Sequence, residues 1–197
     1  MSINLNDESY NVKDSGPIFN GGVAGIAENV TMSIIKRKAD DKDGAPEYKL
    51  VFTDDAGASC NTAFWYITED TAYDTVDQQI TKKGKVFKHL LHAMYGADYQ
   101  IPNFKDAKEM LDVTMKLLRE GLPSSGKFRI FANYGAKISP KGFIQPRSWV
   151  PFMEKMTVGI ESTRLVVGDI DCMERLQADT VGKPAAASTT ADDDDWD

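Results

Sequence analysis

The order in which hydrophobic periodicity changes along this chain constrains its fold most. Period-two segments come first, two helical-period segments follow, and period-two segments then return. Residues 29–38 (NVTMSIIKRK) read as a strand with an apolar beginning and a basic end. Residues 47–54 put Tyr48, Leu50 and Phe52 on one face, the alternation of a half-buried strand. Asp54-Asp55-Ala56-Gly57 turns the chain, and the aromatic and β-branched run 59–68 reads as the second strand of a hairpin. From residue 78 the spacing changes. Ile80, Val86, Phe87, Leu90, Leu91 and Met94 fit a helix over 78–96 that Gly96 closes. Residues 104–120 repeat the pattern with Ala107, Met110, Leu111, Thr114, Leu117 and Leu118, and Gly121 and Pro123 are expected to stop it. Strand alternation returns over 127–134 and 142–150, with Pro146 pushing the latter to a sheet edge or bulge, and a further strand is expected within 157–167.

Strands interrupted once by helices indicate a mainly β or α+β domain rather than alternating βαβ units. A five-stranded, OB-fold-like barrel with a two-helix insertion at about 78–121 fits this count, as do other small β folds. The expected organisation is a loop-rich arm over 1–28, a body over 29–177 and a disordered acidic tail over 178–197. With 42% hydrophobic and 27% charged residues, the chain can fill one core. Two cysteines, Cys60 and Cys172, leave no disulfide scaffold. The first residues lack a basic region followed by an apolar stretch, and no apolar run is long enough for a membrane helix. A cytoplasmic protein without membrane partners is therefore expected.

Charge is unevenly placed. From Asp179 onward six acids face one lysine, so −5 of the net −7 lies in the tail and −2 in the remainder. Residues 78–97 hold Lys82, Lys83, Lys85 and Lys88 with no acid. Residues 121–153 hold Lys127, Arg129, Lys137, Lys141 and Arg147, again with no acid. Such runs are usually solvated faces, but here aromatics lie among them: Trp65 and Tyr66 in one strand, Phe131 and Tyr134 beside Arg129, and Trp149 beside Arg147. Rings for stacking and cations for phosphates are what a single-strand groove requires. Alternation sends about half of those rings into the core, so the register decides which of them face out.

Other motifs carry less. Gly121–Lys127 matches most of a P-loop, but Phe128 stands where Ser or Thr should hold magnesium, and the helix precedes the loop instead of following it. His89 and His92 have no nearby cysteine and no third histidine for a zinc site. Asp40-Asp41 and Asp54-Asp55 sit in turns, where aspartate serves the backbone. Nothing in the sequence argues for catalysis, a metal or another cofactor. The low-complexity segment from Val181 ends in Asp192-Asp193-Asp194-Asp195-Trp196-Asp197, an anionic peptide with one apolar anchor. Such a peptide can occupy its own protein's basic groove or dock on a partner.

Three features together resemble bacteriophage single-stranded-DNA-binding proteins. They are Gly25–Val30 leading into the first strand, the basic and aromatic pair Lys127–Tyr134 and Gly142–Phe152, and the Asp-rich tip with its aromatic. The resemblance implies an OB fold that coats transient single strands in replication and recombination. It also implies an acidic tip that recruits replication enzymes, and it allows a homo-oligomer. The DNA contacts expected from the pattern of rings and cations are Trp65, Tyr66, Lys82, Lys83, Lys85, Lys127, Arg129, Phe131, Tyr134, Lys137, Lys141, Arg147 and Trp149. The alternative is an enzyme or structural phage component whose tail only solubilises it. Convergence of segments 78–97 and 127–149 on one groove would favour DNA binding.

Overall fold

The structure is a computed structural model, and it describes residues 17–134 and 144–174. The expected tail, most of the expected N-terminal arm, Lys137 and Lys141 lie outside the described residues. The elements run β1 (Gly25–Lys36), β2 (Tyr48–Thr53), β3 (Ser59–Phe64), α1 (Val76–Tyr95), α2 (Ala107–Ser125), β4 (Phe128–Tyr134), β5 (Ile144–Pro146) and β6 (Met153–Lys155). The fold is α+β: one antiparallel sheet of order β3-β2-β1-β4-β5, with β6 also paired to β4, and a pair of helices. The ends of the strand path, β3 and β5, come back alongside each other. No ladder joins them among the described residues, so the sheet is open and a closed barrel is not seen.

β1 begins at Gly25, earlier than expected, and it bends where its pairing with β4 shifts register between Ala27 and Val30. Asn29 takes φ 58° there, a left-handed conformation that asparagine tolerates better than most residues. Because of that shift Ala27, Val30 and Met32 all point inward. They meet Leu50, Phe52, Cys60 and Phe64 from β2 and β3. Phe19, placed in the expected arm, is buried in the same core.

α1 starts with a capping box: Thr75 Oγ1 accepts from Gln78 N–H, and Gln78 Oε1 accepts from Thr75 N–H. Gly96, at φ 102°, closes it as expected. Asp106 caps α2 by accepting from Glu109 N–H. α2 does not stop at Gly121. It runs to Ser125 with Pro123 in its last turn, and Gly126, at φ 72°, follows. Gly121 is instead a packing glycine, since a Cβ there would lie 2.7 Å from Met94 Cγ on α1. The segment that matched a P-loop is thus mostly helix rather than a phosphate-cradling loop.

The end of the chain differs most from expectation. β3 ends at Phe64, β5 spans only Ile144–Pro146, and the strand expected in 157–167 is replaced by a short 3-10 turn at Ile160–Ser162. The sixth strand, β6, is too short to show a period. β5 and β6 share one edge of β4, pairing with Ala132–Tyr134 and Phe128–Ile130 respectively, with Pro146 at the break. β4 is buried on both faces because the chain after Pro146 folds back over its outer side. No helix among the described residues is long and apolar enough to cross a membrane.

Candidate nucleic-acid interface

Strand alternation divides the β1–β2–β3 sheet cleanly. One side feeds the core. The other side lies in three cross-strand ranks: Thr31–Thr53–Ser59, Ser33–Val51–Asn61 and Ile35–Lys49–Ala63. These ranks carry no carboxylate, although the chain is acidic. Their polar groups are hydroxyls, one amide and the Lys49 ammonium. Ile35 is 54% exposed, and Trp65, just past the end of β3, is 47% exposed. Trp65 Nε1 donates to the Gly44 carbonyl at 3.0 Å, which pins the ring against the β1–β2 connection. A planar ring is therefore held at the rim of a face whose three ranks carry no carboxylate, beside the ion pair of Arg37 and Glu47 in the rank beyond.

The structure separates the other residues selected from sequence. Tyr66 is not free to stack. Its hydroxyl donates to the Asp112 carboxylate at 3.0 Å, and Lys108 Nζ sits 5.2 Å from its ring. Burial, then the bond to Asp112, pushes the Tyr66 phenol up to about 12. Tyr48 donates to the same carboxylate at 2.8 Å, so Asp112 ties α2 to the sheet. Lys82 pairs with Asp74 at 2.6 Å, and Lys127 with Asp55 at 2.9 Å. Lys83 lies over the Phe64 ring, and burial lowers the pKa of its ammonium.

Arg129, Phe131 and Arg147 are corrected to interior residues. Arg129 is held by Glu28 at 2.8 Å and Glu154 at 3.4 Å. Phe131 is 0% exposed, with the Arg147 guanidinium stacked 4.1 Å above its ring centroid. Arg147 also donates to Asp171 Oδ2 at 2.9 Å and to the Val166 carbonyl at 2.9 Å. Asn133 Nδ2 and Gly168 N–H complete the Asp171 carboxylate. This network fastens residues 163–172 across the outer side of β4. Trp149 is half-buried against Arg147, and the Tyr134 hydroxyl donates to the Gly22 carbonyl. The two basic segments therefore do not converge as a whole on one groove: the arginines of the second hold the fold together.

The first basic segment does reach a concavity. A cleft of about 740 Å³ lies between α1 and residues 150–164. Lys85 and Lys88 stand on its helical wall, and Lys155 and Arg164 on the opposite one. Among the described residues no carboxylate pairs with these four cations. Glu154 also lines the cleft, but Arg129, Thr163 and the Arg164 N–H occupy its oxygens. His89 accepts at Nε2 from the Phe152 and Met153 N–H groups, both at 3.1 Å. Burial, with Arg164, Arg147 and His92 nearby, pushes the imidazole down to about 4, so it is neutral and carries its proton on Nδ1.

Lys155 and Arg164 gave no sequence signal, since one ends a three-residue strand too short to show a period and the other is an isolated cation in an irregular segment. His89 gave a weak one, its place on the apolar stripe of α1. Among the described residues no cluster of His, Cys, Asp or Glu could hold a metal. No protein-family model, no characterised protein and no solved structure matches the chain.

Proposed function

We propose that this protein binds single-stranded DNA with little sequence preference and uses the outer β1–β2–β3 face to do so. The observation that carries the reading is that face, whose three ranks carry no carboxylate, with Trp65 pinned at its rim by its bond to the Gly44 carbonyl. Hydroxyls, an amide, a lysine and an aromatic plane address features common to all nucleotides, namely phosphates and base faces. Topology supports it. β1 pairs with both β2 and β4, the helices are inserted between β3 and β4, and β3 and β5 lie alongside each other. The same connectivity would suit a partly open five-stranded barrel, a class whose second and third strands and flanking loops take oligonucleotides. One such flanking loop is here the β1–β2 connection that holds Trp65.

The tip Asp192–Asp197 then acts as a tethered polyanion that competes with the strand, and Trp196 is the anchor that replication or recombination proteins grip. Protecting transient single strands, as in phage replication and recombination, is the role this combination serves. Trp65→Ala tests the reading. Loss of a stacking ring should weaken oligo-dT binding by about 1–3 kcal/mol, while the melting temperature holds because Trp65 lies outside the core. Unchanged affinity would remove the β1–β2–β3 face from the account.

A further inference from the structure

The β1–β2–β3 face offers a stacking ring and hydrogen-bonding side chains, but its three ranks contain a single cation, Lys49, and Arg37 in the rank beyond is paired with Glu47 and Asp43. A strand held there would leave most of its phosphates without a positive partner, whereas single-strand sites pair stacking platforms with cationic grooves. The cleft between α1 and residues 150–164 has the complementary character. It presents Lys85, Lys88, Lys155 and Arg164 on two opposed walls, with no carboxylate paired to any of them among the described residues. Its floor is apolar, formed by Val150, Pro151 and Met153, and His89 beneath is neutral. The cleft shares no residue with the β1–β2–β3 face.

We infer that this cleft is a second contact site for the same single strand: it binds the phosphodiester backbone, with sugars or bases against its apolar floor. The inference rests on the DNA-binding reading above and extends the strand's path beyond the face that carries Trp65. Short strands are held by the face alone, and longer ones engage both surfaces.

The test compares labelled oligo-dT of about 5 and about 30 nucleotides, one near the smallest site size of such domains and one well beyond the largest. It uses the full chain and the variants Lys88→Glu and Arg164→Glu, one from each wall and both exposed. Each variant should weaken binding of the long strand at least tenfold at low salt and leave the short strand unaffected. The double variant should reduce the slope of log affinity against log salt by about 1.4, two lost contacts at about 0.7 each. Melting temperature checks the fold, and Lys85→Glu replaces either variant that melts early. Long-strand affinity and slope equal to the parent's, with Trp65→Ala still impaired, overturn the cleft and leave the face standing. Tighter long-strand binding in the variants also overturns it, since the cleft would then hold the chain's own acidic segment. If the unmodified chain binds no strand at all, the DNA-binding reading fails and the cleft falls with it.

Discussion

His89 makes the stability of this protein sensitive to mild acid. Its Nε2 accepts two backbone N–H groups from Phe152 and Met153, and its ring packs on Phe152 with centroids 5.1 Å apart. A proton on Nε2 would break both bonds and place a charge near Arg147 and Arg164. The imidazole therefore titrates at about 4 in the folded protein, against 6.5 when exposed. The unfolded chain binds the proton first, so stability is fully present above about pH 6.5 and declines as pH falls toward 4. With these two values the loss is about 2 kcal/mol by pH 5 and about 3 kcal/mol by pH 4. Urea unfolding at pH 7.5 and pH 5 measures it. His89→Gln isolates it, because a glutamine carbonyl can accept from the same backbone groups without titrating. The parent should lose about 2 kcal/mol more than the variant between these pH values. Equal losses would refute the assignment of a neutral, hydrogen-bonded His89.

Arg147→Ala strands the fully buried Asp171 carboxylate and should cost about 3–5 kcal/mol, a drop in melting temperature on the order of 10 °C in a thermal scan. Gly121→Ala gains about 1 kcal/mol of helix propensity but drives a methyl group into Met94 and the Tyr95 hydroxyl, at about 1–3 kcal/mol. Denaturant titration should find it net destabilised. Deleting residues 181–197 removes a net −4 and should tighten oligo-dT binding at low salt, with the gain shrinking as salt rises. Weaker binding in a filter or anisotropy assay would show instead that the segment supports the strand.

The helices and the β2–β3 hairpin were legible because period and punctuation agree there: Leu50 and Phe52 alternate, Thr75 caps, and Gly96 terminates. Gly121 misled because a glycine that permits close helix packing looks, in sequence, like one that ends a helix. The site was less legible. Arginine beside aromatics reads as a nucleic-acid surface, yet Arg147 between Phe131 and Trp149 is an interior cation stacked on rings. What separates the two cases is Asp171, twenty-four residues away, which no local pattern connects to Arg147. Trp65 and Tyr66 were both candidates from sequence, and only the register separates them, with Tyr66 turned to Asp112 and Trp65 to the outer face. The acid-free ranks beside it appear only once the register of three strands is known. The cleft was out of reach, since its second wall is built from the three-residue strand β6 and irregular chain, neither of which leaves a period in the sequence.

The central claim is that a single strand lies on the β1–β2–β3 face, and a tryptophan-fluorescence titration with oligo-dT at two salt concentrations tests it most directly. Trp65 is half-exposed at the rim, so a stacked base should quench it saturably. The affinity should fall as salt rises, by about 0.7 in log slope per phosphate contact, and duplex DNA should compete poorly. Quenching that survives Trp65→Ala unchanged, or an affinity independent of salt, would contradict the account.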